Sequence, residues 1–499
     1  MRITQYFNEK NESLSLNQRV VDFVDVDTDI DTPLFLDSQF LYSKMDSKWA
    51  SETYAIINDF IEFIKYYIEK EDFDTVKDYC QHFKEPKGFG LGRAKTKSNG
   101  SGISPKKALA ILQELHRISR GLNKDIMAFL LADVKVFMEN VGSDNISDLI
   151  ATIIRKQLID YTAEQCDLYE IPLQTGVFSD YYWNTEISGW DCSLEHRMLV
   201  IGGQPRVLVP KSMVYLEKIY RFNSESYSFP VVDFLVEEEY SNLNSKIARF
   251  ETMKNGEVRK KVYKKDIREN FPVTKKDYLY DFSIRNPKIY EQFRENVNTI
   301  SIPNEDINNI TTHDLPDCVF DEFVDYLITE YSLIEAGNSS ADKFHNHTLS
   351  VINFLFYPAL NRAVKEAQQH EGRKRVDIRY DTVGEGSKFF SQLKNDIPAM
   401  YTYVECKNYS VDVKNPELDQ LSGRFGLTKG KFGILVFRDV ENYDVLIQRC
   451  RDTFQDDRGL IIPLRDIDFI MMLNKSKKSN STLSVTDECL SKIKDLICD

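Results

Sequence analysis

Three side chains in the last third of the chain are of types that suit phosphodiester hydrolysis: Asp377 in RKRVDIRYD, and Glu405 and Lys407 in YTYVECKNY. Such hydrolysis calls for a hard divalent cation, held by carboxylates and often by one backbone carbonyl. Asp377 and Glu405 offer two carboxylates, and the carbonyl of Cys406, between Glu405 and Lys407, offers a third oxygen. The expected ion is Mg²⁺ or Mn²⁺, which lowers the pKa of a bound water and neutralises phosphate charge. Lys407 is suited to orient that water or to stabilise the charge that develops in the transition state.

The elements that must position these groups follow from periodicity. Strand alternation puts Arg375, Asp377 and Arg379 on one face and Val376, Ile378 and Tyr380 on the other. It likewise groups Tyr403, Glu405 and Lys407 against Thr402, Val404 and Cys406. In both strands the charged residues project from the side expected not to be core. The segment NPELDQLSGRFG reads as a helix with Asn415 as its cap and Pro416 as its first residue. With Leu418 and Leu421 turned to the core, Gln420 and Arg424 fall one turn apart on another face. That face is expected to look toward the site, with Gln420 near the metal or phosphate. Arg375, Arg379 and Arg424 are the expected contacts to a nucleic-acid backbone. Around this centre, residues 344 to 367 read as one long helix that Pro358 kinks. KFGILVFR and GLIIPLRD read as strands, and YDVLIQRCRDTF and IDFIMML as helices. The order is helix, strand, strand, helix, strand, helix, strand, helix. It predicts an α/β unit with a mixed sheet flanked by helices.

This pattern resembles the PD-(D/E)xK nuclease superfamily, the fold of many restriction endonucleases and of Mrr-like nucleases. The resemblance rests on Asp377, on Glu405-Cys406-Lys407 and on Gln420 in the helix after them, and it spans about residues 341–473. It implies a restriction-endonuclease-like fold and a metal-dependent endonuclease acting on DNA, with RNA not excluded. Members often carry a further acid on the preceding helix; Glu366 and Glu371 are candidates, and His347 is a candidate for a related place. The proline common before the first Asp is absent. A lone Glu-x-Lys is usually a solvated pair on a strand, so the joint pattern carries the reading. The alternative is a non-catalytic nucleic-acid-binding or assembly subunit on a nuclease-like fold. By analogy with nucleases that carry an extension, the first 340 residues are expected to sense or regulate. The setting so implied is bacterial restriction or anti-phage defence, with a defence-system protein or a second copy as possible partner.

The whole chain has 499 residues, 42% of them apolar, which predicts several ordinary cores. The expected units are a mainly helical domain at 1–185, an α+β region at 186–340, the nuclease domain at 341–475 and a tail at 476–499. Net charge is −14, and residues 341–475 hold 20 Lys+Arg against 19 Asp+Glu, so the excess negative charge lies elsewhere. An acidic extension packed on the nuclease domain is expected to limit DNA access. The competing reading is a DNA-reading module built on Lys260, Lys261, Lys264 and Lys265. No apolar run reaches the roughly 20 residues of a membrane span, and the polar N-terminus lacks a secretory pattern. The eight cysteines are scattered without a CxxC pair, which suits reduced thiols and a cytoplasmic setting.

Other segments carry weaker signals. Asp25, Asp27, Asp29 and Asp31 alternate but lack the glycine and terminal glutamate of a calcium loop, so they read as an acidic turn. The Gly- and Lys-rich stretch at 88–108 reads as a surface loop leading to a helix with Ser104 as cap and Pro105 first. MLVIGGQPRVLVPK reads as a hairpin around Gly202 and Gly203. Residues 235–300 read as helical, with Arg259, Lys260, Lys261, Lys264 and Lys265 on a solvated helix face.

Overall fold

The computed structural model describes the chain except residues 37, 39–40, 42–46, 84–85, 93–102, 123–127, 217–220, 255–256, 299–319, 366–377, 410, 412, 427, 439, 480 and 499. Arg375, Asp377, Glu366 and Glu371 therefore lie outside the described residues.

The N-terminal half is mainly helical. Lys48–Glu69 buries Ile57, Phe60, Ile61 and Ile64 at helical spacing. Pro105–Leu122 starts where expected, with the Ser104 hydroxyl accepting from the Lys107 amide at 3.3 Å. Ser143–Ile153 and Arg155–Leu168 follow. Short strands trim this bundle: β1 (Phe35–Leu36) pairs with β6 (Val214–Tyr215), β2 (Tyr182–Asn184) with β3 (Gly189–Asp191), and β4 (Leu199–Ile201) with β5 (Gln204–Arg206). The β4–β5 turn is the expected hairpin, and Gly202 and Gly203 both take the positive φ that a two-residue turn needs. Asp25 is a structural acid: its buried carboxylate accepts from the Thr4 amide at 2.8 Å and the Thr4 hydroxyl at 2.7 Å.

Residues 224–298 depart from the helical expectation in one place. Between the Ser224–Ser241 and Lys264–Asn270 helices lies a two-stranded antiparallel ribbon, β7 (Arg249–Thr252) and β8 (Val258–Lys261). Arg259, Lys260 and Lys261 thus sit on a strand. Alternation of side chains along RFET and VRKK, with no apolar stripe at helical spacing, accounts for the difference.

The C-terminal third holds the main sheet. Ala341–Phe356 is a helix, and the chain then turns through a cis Tyr357–Pro358 bond into β9 (Leu360–Lys365). Pro358 ends the helix where a kink had been expected, because the residue before a proline is pushed out of the helical region. β10 (Ile378–Thr382) and β11 (Tyr401–Lys407) follow, separated by a helix at Lys388–Asp396 that periodicity did not bring out. Next come the helix Asn415–Ser422, β12 (Phe432–Phe437), the helix Tyr443–Gln455, β13 (Leu460–Arg465) and the helix Asp466–Ser476. The expected tail contains a helix, Thr482–Cys498, that buries Leu483, Val485, Leu490, Ile493 and Ile497.

The sheet order is β13-β12-β11-β10-β9. β9, β10 and β11 run antiparallel, whereas β11, β12 and β13 run parallel. Every residue of β12 is buried, as befits a central strand covered on both sides. Tyr380 donates to Asn353 of the Ala341–Phe356 helix at 2.9 Å, which places that helix on the face of Ile378 and Val404. The Asn415–Ser422 helix covers the other face, with Leu421 against Gly433.

The N-terminal region packs directly on this sheet. Gln165 donates to the Ala363 carbonyl of edge strand β9 at 2.9 Å, and Arg362 grips Glu164 at 2.8 and 2.9 Å. Asn353 donates to the Val20 carbonyl at 2.9 Å. The Arg155–Leu168 helix thereby covers an edge that would otherwise be open to pairing with another chain. Among the described residues, no helix is long and apolar enough to cross a membrane. The seven described cysteines, which exclude Cys318, are free thiols.

Candidate active site

The register fixes which side chains share a face. Ile378 lies opposite Val404, and Arg379 opposite Tyr403. Arg379 therefore stands on the same face as Tyr403, Glu405 and Lys407. Asp377 immediately precedes Ile378, the first described residue of β10, and lies outside the described residues.

Glu405 and Lys407 sit at the C-terminal end of β11, the strand where the sheet changes from antiparallel to parallel pairing. In open α/β sheets, the carboxyl ends of strands beside a change of topology are where ligands bind. Lys407 Nζ forms an ion pair with Glu405 Oε1. The same ammonium donates to Gln420 Oε1 at 3.4 Å. Arg424 Nη2 stands 4.0 Å from Glu405 Oε2. Gln420 and Arg424, one turn apart, thus both reach the Glu405–Lys407 pair. The helix begins with Lys414 as the cap, one residue before the expected Asn415, and the Lys414 amide donates to Glu417 at 2.8 Å.

Burial corrects one expectation. The charged face is not open: the Glu405 side chain is 2% exposed and that of Lys407 12%. Gln420 of the Asn415–Ser422 helix and Arg424 just after it lie against the pair. A carboxylate so buried needs its cationic neighbours, since an isolated charge out of water is costly.

The Cys406 side chain points to the opposite face, where burial pushes its thiol well above the usual range. It leaves its backbone carbonyl as the only expected ligand atom. The donor set of carboxylate and carbonyl oxygens is of the hard type that suits Mg²⁺ or Mn²⁺. Among the described residues, no three His, Cys, Asp or Glu side chains gather as a metal site. His347 belongs elsewhere: its Nε2 stands 2.9 Å from the Leu327 carbonyl, and its ring packs edge-on to Tyr331 at 4.4 Å. Burial pulls its pKa down to about 4.

Arg379 lies over the Tyr401 ring at 4.3 Å. Its charge is also felt by Glu164 and Asp381. These two acids, Asp381 buried and Glu164 partly exposed, belong to a network that no local signal in the sequence announces. Arg362 grips Glu164 and stands 3.5 Å from Asp381, which also accepts a hydrogen bond from the Ser47 hydroxyl at 2.5 Å. Burial raises the pKa of both acids, against the lowering effect of Arg362. A cavity of about 20 Å³ lies among Asp22, Ser47, Arg362 and Asp381, room for about one water. Ser47 and Glu164 come from the N-terminal region, so two distant segments brace the strand beside the site.

A family model described as a domain of unknown function (DUF8370) matches residues 13–221. The match covers most of the helical N-terminal region and stops short of both the ribbon and the main sheet. No curated protein and no solved structure matches the chain.

Proposed function

We propose that the C-terminal sheet carries a metal-dependent nuclease site of the restriction-endonuclease-like kind. The observation that carries the reading is the convergence of Glu405, Lys407, Gln420 and Arg424 at the C-terminal end of β11. A further support is the succession, over residues 360–437, of two antiparallel strands, a helix, a third antiparallel strand, a second helix and a parallel strand. Asp377, beside the residue that faces Val404, is the proposed second carboxylate.

In this reading Asp377, Glu405 and the Cys406 carbonyl hold Mg²⁺ or Mn²⁺, which when bound supplies Lewis acidity and a more acidic water. Lys407 orients the attacking water and then stabilises negative charge on the phosphate. Gln420 fixes the Lys407 ammonium through its side-chain oxygen. Arg379 and Arg424 bind phosphate oxygens, for which the guanidinium fork is suited.

Nucleic acid is the proposed substrate, DNA before RNA. The N-terminal region is the proposed regulator, since it supplies Ser47 and Glu164 to the braced strand. A defence role follows only as the setting in which such a restrained nuclease makes sense. The test is incubation of the full-length protein with plasmid DNA, and separately with RNA, in Mg²⁺, Mn²⁺ or EDTA. Cleavage that needs the metal and is lost in Lys407→Ala is the expected result. Intact substrates under every condition would reject the reading.

A further inference from the structure

The β7–β8 ribbon plays no part in the site just described. Its strands pair with each other and with no other described strand. Residues 246–261 hold six Lys+Arg against two Asp+Glu, in a chain whose net charge is −14. The ribbon is therefore a local basic element on an acidic protein.

Its two faces differ in chemistry. Arg249 lies opposite Lys261 and Glu251 opposite Arg259, which puts three cations and one anion on one face. Phe250 lies opposite Lys260 and Thr252 opposite Val258 on the other, where Phe250 is 70% and Val258 60% exposed. The root is anchored. Lys260 Nζ donates to the Tyr240 and Asn242 carbonyls, at 2.7 and 2.5 Å, at the end of the Ser224–Ser241 helix. Arg249 is paired with Asp266 at the start of the next helix. The pairs Arg259–Glu257 and Lys261–Glu251 are exposed, so they are weakly held and open to competition from a stronger anion.

We propose that this ribbon docks duplex DNA, the substrate class proposed for the C-terminal site, on which reading the identity of the ligand rests. A two-stranded ribbon fits a major groove about 12 Å wide. Alternate residues on a strand, such as Arg259 and Lys261, are about 7 Å apart. That is close to the axial rise of two base pairs, about 3.4 Å each. The basic face, with Arg249, Arg259 and Lys261 on it, meets phosphates, while Phe250 and Val258 stand on the opposite face. The positive charge favours a polyanion over a protein partner with an apolar face.

The test measures binding of the full-length protein to a short labelled DNA duplex in EDTA, across a range of salt. The paired substitution Lys254→Glu with Arg259→Glu should weaken binding at least about tenfold. It should also lower the slope of log affinity against log salt by about 2, the loss of two phosphate contacts. Phe250→Ala, on the opposite face, should leave affinity and slope unchanged. All three side chains are exposed, so unfolding midpoints should hold. Unchanged affinity and slope in the Lys254→Glu, Arg259→Glu protein would overturn the proposal. So would a loss of DNA affinity in Phe250→Ala as large as that in the doubly substituted protein. Metal-dependent cleavage that is indifferent to the ribbon rejects the docking role and leaves the nuclease reading standing. Ribbon-dependent binding without any cleavage rejects the nuclease reading and leaves the docking role standing.

Discussion

Lys407 Nζ is shared between Glu405 Oε1, as an ion pair, and Gln420 Oε1, as a hydrogen bond of 3.4 Å. One ammonium therefore ties the strand end to the helix that follows it. Because Glu405 is almost wholly buried, removing the lysine leaves a charge with reduced compensation. Lys407→Ala is expected to destabilise the fold by a few kcal/mol, within the roughly 3–5 kcal/mol seen when one partner of a buried pair is lost. Cleavage should fall by on the order of 10²- to 10³-fold in the fraction that stays folded. Denaturant titration alongside single-turnover rates separates the two effects. Unchanged stability would show that Glu405 does not depend on Lys407.

Gln420 orients Lys407 and is not expected to touch the reacting atoms. Loss of a hydrogen bond to a charged group is worth about 1.5–3 kcal/mol. Gln420→Leu should therefore lower kcat by roughly 10- to 100-fold with little change in KM. Gln420→Glu keeps an oxygen acceptor for the ammonium and should recover part of the rate. A KM effect with kcat intact would move Gln420 from positioning to substrate binding.

Arg362 joins Glu164 of the N-terminal region to Asp381 of the sheet. Arg362→Met leaves the buried Asp381 without its nearest cation and should cost roughly 3 kcal/mol, most of it from Asp381, because Glu164 is partly open to water. Adding Asp381→Asn should return part of that loss, because the stranded charge is removed. Equilibrium unfolding of the single and double variants gives the answer; strictly additive losses would deny the coupling between Arg362 and Asp381.

His347 makes stability depend on pH. Its folded pKa, about 4, lies below the ordinary value of about 6.5 because burial penalises the charged ring. A depressed pKa gives stability that is complete above about pH 6.5 and is lost as pH falls toward 4. At pH 5 the loss from this group is roughly 2 kcal/mol. The stability gap between wild type and His347→Phe should narrow by that amount between pH 7 and pH 5. A gap that does not change with pH would contradict a buried neutral His347.

The site was more legible than its surroundings. Glu405, Lys407, Gln420 and Arg424 fall within 20 residues, where strand alternation and helical spacing decide which side chains share a face. β9 was hidden because its apolar residues continue the helix before it, and only Pro358 marks the break. The ribbon was hidden because Lys, Arg and Glu are good helix formers that become strand residues here through cross-strand pairing. The Arg362 network was out of reach, since Glu164 and Ser47 are distant in sequence and meet Arg362 and Asp381 only after the two halves pack. Burial of Glu405 was also missed, because the elements that cover it lie on other segments.

Glu405 is the carboxylate on which the proposed metal-dependent hydrolysis turns. The most direct measurement compares single-turnover cleavage of labelled DNA by wild type and Glu405→Gln, in Mn²⁺ and in EDTA, with folding checked by circular dichroism. Glu405→Gln keeps the size of the side chain and removes the charge. The expected result is metal-dependent cleavage by wild type and a loss of at least about 10²-fold in the folded variant. Equal metal-dependent rates for the two proteins would rule Glu405 out of the hydrolysis.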